Sequence, residues 1–155
     1  GNRYEGEFKD DKEHGQGVFV WKEGDRYEGG FVDGKEHGHG VTKFSNGNRH
    51  EGEYKNGKPN GRGIFVWASG STYTGGFKDD KFHGHGVMRF AGGNRFEGTY
   101  KDGDTAGRGT FTFRDGDECE GEWGAEYRLQ GTGKGRSKGR FVKCYLEGKT
   151  IMFKY

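Results

Sequence analysis

The stretch Tyr27-Glu28-Gly29-Gly30-Phe31-Val32-Asp33-Gly34-Lys35-Glu36-His37-Gly38-His39-Gly40 decides the fold, because the chain writes it again and again. Its first position returns every 23 residues, as Tyr4, Tyr27, His50, Tyr73, Phe96 and Cys119. Two residues after each stands a glycine: Gly6, Gly29, Gly52, Gly75, Gly98 and Gly121. Two further on stands an aromatic: Phe8, Phe31, Tyr54, Phe77, Tyr100 and Trp123. A Gly-x-Gly pair follows in phase at Gly15/Gly17, Gly38/Gly40, Gly61/Gly63, Gly84/Gly86 and Gly107/Gly109. In-phase copies of so long a pattern exclude chance, and a period of roughly 20–50 residues marks a repeat architecture.

Within one copy, Tyr27, Gly29 and Phe31 alternate with polar positions, the period of a strand. A second strand runs from the Gly-x-Gly pair through segments such as Val18-Phe19-Val20-Trp21 and Ile64-Phe65-Val66-Trp67. Between them lie Asp33-Gly34, Asn56-Gly57 and Asp102-Gly103, which accept the positive φ of a tight hairpin turn. Gly24, Gly47, Gly70, Gly93 and Gly116 provide turns between copies. Tight turns at both ends make neighbours antiparallel, so the sequence predicts a continuous meander. Strands are expected near 3–9, 16–22 and 26–32 and onward at the same spacing, with no long helix. Tyr27, Gly29, Phe31, Gly38, Gly40 and Phe44 fall on one face, and Glu28, Gly30, His39, Val41 and Lys43 on the other. The rings should lie over glycine backbones of adjacent strands, since glycine weakens a strand that nothing covers.

Composition agrees with an ordered chain. Aromatics make up 15% and 26 basic residues nearly cancel 24 acidic ones, whereas disordered chains are aromatic-poor and strongly charged. The net charge of +2 gives no global pull toward nucleic acid or acidic lipid. No apolar run reaches the length of a membrane-spanning helix, and no signal peptide is read. Cys119 and Cys144 are expected to be reduced thiols in a cytoplasmic protein, at a membrane surface or a cytoskeletal structure.

The unit Y-x-G-x-[FWY]-x-x-x-x-x-[HN]-G-x-G resembles the MORN (membrane occupation and recognition nexus) repeat, most closely at residues 27–40 and 73–86, with His37 and His83 in place. The resemblance implies an all-β fold, an elongated single-sheet antiparallel meander of β-hairpins with no substantial helix. The array is expected over 1–133, with repeats starting near 4, 27, 50, 73, 96 and 119. In the sixth unit Gln130 replaces the in-phase glycine, and Gly131 and Gly133 arrive one residue late. A basic loop and a hairpin of 141–146 and 150–155 follow in 134–155, expected to cap the array or to serve as a homodimer edge. Gly1-Asn2-Arg3 repeats in phase at Gly47-Asn48-Arg49 and Gly93-Asn94-Arg95, as if the chain began inside a longer array. MORN arrays occur in very different proteins, including larger enzymes, so the resemblance speaks to architecture more than to activity.

Candidate chemistry is thin. His37/His39 and His83/His85 have no recurring cysteine or carboxylate nearby and read as strand-start residues rather than metal ligands. Gly148-Lys149-Thr150 lacks the earlier glycine of a phosphate-binding loop, because Lys143 stands there. Glu5/Glu7, Glu51/Glu53 and Glu120/Glu122 resemble glycosidase carboxylates. They recur once per hairpin beside Lys and Arg, so cross-strand charge pairs explain them. No serine or cysteine has a base at nucleophile spacing. No enzyme activity, cofactor, metal or nucleic-acid partner is expected.

The aromatic face carries the functional expectation. Phe31, Phe44, Tyr54, Trp67, Tyr73, Phe77, Phe90, Phe96 and Tyr100 are expected to line a groove that takes a helix or extended segment of a partner protein, centred near Trp67 and Tyr73. The competing reading is that these rings pack on one another and leave no groove. The alternative function is a phosphoinositide or anionic membrane-surface adaptor using Lys134, Arg136, Lys138, Arg140 and Lys143.

Overall fold

The computed structural model describes residues 1–155. It is all-β: an open antiparallel meander in which fourteen strands follow one another in chain order. Residues fall into two compact units, Gly1–Lys81 and Phe82–Tyr155, each described by itself. The first contains β1 (Arg3–Lys9), β2 (Lys12–Val20), β3 (Arg26–Val32), β4 (Lys35–Lys43), β5 (Arg49–Lys55), β6 (Lys58–Val66) and β7 (Thr72–Lys78). The second contains β8 (Lys81–Arg89, from Phe82 onward), β9 (Arg95–Lys101), β10 (Asp104–Thr112) and β11 (Glu118–Gly124). A short 3₁₀ turn (Ala125–Tyr127) leads to β12 (Arg128–Ser137), β13 (Arg140–Glu147) and β14 (Thr150–Lys154).

The hairpin turns are the expected kind. Asp33 and Gly34 both have positive φ (48° and 79°), matching the right-handed twist of the flanking strands. Asp79-Asp80 makes the same turn without a glycine (φ 48° and 70°). The second strand of each repeat begins earlier than expected, directly after the turn. Opposite Gly29 and Phe31 stand Gly40 and Glu36, so β4 carries two extra residues between them. Gly38 sits in that bulge at φ 75°, where a side chain would be strained. Directly opposed residues share a face, so the bulge places Glu36 beside Phe31 on the aromatic face.

The core of the first unit is a row of glycines under a row of rings. Gly6, Gly17, Gly29, Gly40, Gly52, Gly63 and Gly75 oppose one another in register across β1 to β7. A Cβ on Gly40 would fall inside the Tyr27 ring. Above this row the rings meet edge to face. Tyr4 touches Phe31 (5.1 Å), Phe31 touches Tyr27 (5.2 Å), and Tyr27 touches Tyr54 (5.0 Å). His50 then joins Tyr54 (5.3 Å) to Phe77 (4.7 Å). Each such contact contributes about 0.5–1.5 kcal/mol beyond area burial. The Tyr27 hydroxyl donates to the Gly30 carbonyl (2.9 Å), and the Tyr73 hydroxyl to that of Gly76 (2.8 Å).

Loops are tied from one repeat to the next. Asn2 Oδ1 accepts from the Lys22 amide, Asp25 from Ser45, Asn48 from Ala68, Asn94 from Arg114 and Asp117 from Lys138. On the opposite face Arg26 pairs with Glu28 (3.0 Å), Arg49 with Glu51 (2.5 Å) and Arg108 with Glu120 (2.7 Å). The expected cross-strand pairing holds for Arg108 with Glu120 and Glu122, and for His39 and His85 with Glu51 and Glu97. The Arg26 and Arg49 pairs run along one strand, and Glu7 and Glu53 instead accept the Gln16 and Arg62 amides.

Two expectations fail at the C-terminal end. Cys119 and Cys144 are not free thiols but a disulfide with a Cα separation of 5.9 Å. They lie on β11 and β13, and two strands apart in a flat sheet would be about 9.6 Å. The sheet therefore curls sharply about β12, where Gly133 offers no side chain to obstruct the two sulfurs. The disulfide covers Gly133 much as the earlier rings cover their glycines. Lys134 and Arg136 likewise lie in strand β12 rather than in a basic loop, since the glycines there accept extended pairing with both β11 and β13.

Candidate interaction surface

Most of the expected groove is closed. Phe31, Tyr54, Tyr73, Phe77, Phe96 and Tyr100 are 0–6% exposed. Phe96 covers Gly98 and Gly109, and the others pack edge-on against neighbouring rings, so all six are core. Phe44, Trp67 and Phe90 are half-buried and retain open surface. Of the expected row, only these rings, each at the end of a repeat's second strand, keep open surface.

In the first unit Phe44 borders a hollow of about 230 Å³, while Trp67, the expected centre, is not in its lining. Trp21, Phe44 and Phe65 form its walls, and Thr42, His50 and Tyr54 its floor. The Thr42 and Tyr54 hydroxyls hydrogen-bond to each other (2.6 Å). Glu36 and Asp80 supply carboxylates at the rim, with Asp25 beside them. Burial raises the pKa of Glu36, countered only by its own backbone amide; burial also raises that of Asp80, which Lys58 partly counters. Burial pushes the Tyr54 hydroxyl up to about 12 and His50 down to about 4, so both are neutral at pH 7. His50 is 2% exposed and its Nε2 has no hydrogen-bond partner.

Sequence reasoning missed Glu36, Asp80, Trp21, Phe65 and His50 as parts of one site. The signal for Glu36 was alternation counted from the turn at Asp33-Gly34. The signal for His50 was that it alone among the ring positions carries a titratable base.

The basic cluster is exposed throughout, and the structure adds a residue to it. Lys134 stands opposite Lys143, and Lys143 opposite Lys154, so three lysines form a row across β12, β13 and β14. The Arg136 guanidinium lies 5.5 Å from the ring centre of Phe141, which is 87% exposed. Lys138 approaches the Tyr155 ring (5.9 Å), and Arg140 begins β13.

The MORN repeat model matches five consecutive stretches, 4–26, 27–49, 50–72, 73–95 and 96–118. The chain belongs to the MORN repeat family. The stretch from Cys119 that the spacing suggests as a sixth unit lies outside the match, in keeping with its late glycines and its disulfide. No curated protein matches the chain. MORN repeats are found in protein-interaction and membrane-associated proteins.

Proposed function

We propose that this MORN array is a non-catalytic protein–protein interaction scaffold whose aromatic face, in the unit Gly1–Lys81, takes a segment of a partner protein. The observation that carries the reading is the hollow walled by Trp21, Phe44 and Phe65, whose half-open rings stand on a sheet with no second layer. Aromatic anchors at the centre of an interface commonly contribute about 2 kcal/mol or more each. The test is selection of binders from a displayed peptide library on the whole chain. Phe44→Ala and Trp67→Ala should each weaken the selected peptides about thirtyfold with little change in melting temperature, and Lys43→Ala on the opposite face should not. Loss of binding through Val18, Val41, Ile64 or Val87 instead would place the interaction on the other face.

A second reading, contact with an anionic membrane surface, is favoured by one feature. Like charges directly opposed across strands are destabilising, yet Lys134, Lys143 and Lys154 stand in a row beside exposed Phe141. Anionic headgroups would relieve that repulsion, at about 1 kcal/mol per basic residue near the surface. Sedimentation with phosphoinositide vesicles should then show binding that 0.5 M salt, at a screening length of about 4 Å, abolishes. Binding that survives both salt and neutralisation of the row would exclude this mode. The cytoplasmic location expected from free thiols loses that support now that Cys119 and Cys144 are joined.

A further inference from the structure

We infer that the hollow in Gly1–Lys81 receives a basic side chain, arginine in preference to lysine, projected from the partner protein. This rests on the scaffold reading above and names the chemistry of its occupant.

The chain contains a filled version of the same site. Shifting by two repeats, 46 residues, carries Phe44, His50 and Tyr54 onto Phe90, Phe96 and Tyr100. There Tyr127 packs edge-on against all three, at 5.4, 5.2 and 6.3 Å, and its hydroxyl meets that of Tyr100 (2.9 Å). Tyr127 is delivered by the 3₁₀ turn, where it and Glu126 both take φ 56°, a left-handed conformation that costs about 1–2 kcal/mol per residue. Asp104 Oδ1 and Thr105 Oγ1 hold the turn by accepting the Glu126 and Tyr127 amides (2.7 and 3.0 Å). The second unit thus fills this space with a planar side chain of its own.

In the first unit the space is open and its lining has changed character. Phe82 corresponds to Glu36, Met88 to Thr42 and Phe96 to His50. Three apolar contacts are replaced by a carboxylate, a hydroxyl and an imidazole. Burial raises the pKa of the Glu36 carboxyl, countered only by its own backbone amide, and the His50 ring lines the hollow while its Nε2 is buried beside Gly63. Asp80 stands at the rim. The site is therefore lined by carboxylates, with no lysine or arginine in its lining, and has three aromatic walls. A guanidinium answers each need: it stacks flat on rings, donates in a planar fork to carboxylates, and loses hydration more readily than an ammonium. A neutral or acidic occupant would further desolvate the half-buried Glu36 carboxylate without compensation.

The test titrates the whole chain with N-acetyl-arginine amide, N-acetyl-lysine amide and the neutral isostere N-acetyl-citrulline amide, following amide shifts by NMR. Arginine amide should shift residues of the hollow and bind more tightly than lysine amide. Even fully screened by water, a unit charge at about 5 Å is worth about fourfold, so citrulline amide should bind at least fourfold more weakly. Glu36→Gln and Asp80→Asn should each weaken arginine amide by at least that factor, leave citrulline amide unchanged, and not lower the melting temperature. Equal binding of citrulline amide, shifts outside the hollow, or indifference to Glu36→Gln overturns the inference. Selected peptides that bind the first unit without a basic residue leave the scaffold standing and overturn the inference alone. Arginine amide binding with no basic peptide selected overturns the partner assignment and leaves a small-cation site.

Discussion

Alanine at Gly40 should unseat the Tyr27 ring. Gly40 has no positive φ, so the substitution costs nothing in backbone conformation, and alanine in a strand gains about 0.5–1 kcal/mol over glycine. The cost is steric, because the new methyl would occupy the space of the Tyr27 ring. Tyr27 is 0% exposed, and displacing it forfeits about 2 kcal/mol of burial. Its bond to the Gly30 carbonyl adds about 1 kcal/mol. Its edge contacts with Phe31 and Tyr54 add about 1 kcal/mol more. The net loss is about 3 kcal/mol, read from urea denaturation followed by tryptophan fluorescence. Gly38→Ala is the control: nothing lies within 4 Å of its Cβ, but its φ of 75° imposes about 1–2 kcal/mol. In a Tyr27→Ala background the cost of Gly40→Ala should nearly vanish, because the partner of the clash is gone. A Gly40→Ala variant within about 0.5 kcal/mol of the parent, or less damaged than Gly38→Ala, would refute the ring-over-glycine account.

Three further outcomes follow from the same packing. Reducing the Cys119–Cys144 bond should destabilise the second unit by about 3.5 kcal/mol on the chain-entropy relation for a loop of this size, with faster hydrogen exchange in β11–β13 and little change in β1–β6. His50 binds its proton less readily folded (about 4) than at its ordinary 6.5. Its contribution to stability should therefore be complete above pH 6.5, fall between 6.5 and 4, and level off below, a loss of about 3 kcal/mol. Denaturation midpoints across that range, compared with His50→Tyr, should show the extra slope only when histidine is present. His50→Tyr should also raise stability at pH 7 by about 1 kcal/mol, because its hydroxyl can donate to the Glu53 carbonyl as Tyr4 donates to that of Glu7 (2.8 Å).

The meander was legible because local rules and long-range order coincide in it. Asp33-Gly34 names its own turn, and turns at both ends of every strand leave one neighbour order. The register was not legible: the glycine row appears only once the bulge between Gly29 and Phe31 is seen. The groove was not, because alternation says which face a ring occupies but not whether neighbouring rings close over it. Tyr54 and Phe77 are consumed by contacts with residues one repeat away. Glu36 was overlooked because the second strand was counted from Gly38-His39-Gly40, omitting the residues between turn and bulge. The disulfide was invisible for a different reason. Cys119 and Cys144 come together only because the sheet curls about a glycine-bearing strand, and curvature leaves no mark in a period of two. The loop ties were half-legible: Asn2, Asp25, Asn48, Asn94 and Asp117 recur in phase, but their partners lie 20 or 21 residues away.

The neighbour order of the strands also determines how the chain yields to tension. A pull on Gly1 falls on the β1–β2 ladder, whose bonds lie across the strands and are loaded one after another rather than together. The array should therefore peel from this end strand by strand at low force, the tie of Asn2 to Lys22 giving way first and that of Asp25 to Ser45 only after β1 and β2 have come away. A pull on Tyr155 meets a different limit. Once β14 has come away, the load reaches Cys144 and passes through sulfur directly to Cys119, bypassing the 25 peptide bonds between them. At roughly 3.3–3.6 Å per residue, about 80–90 Å of chain is withheld from extension until the bond is reduced. A thiol would thus act as a mechanical release, lengthening the tether by that amount without altering any contact in β1 to β7.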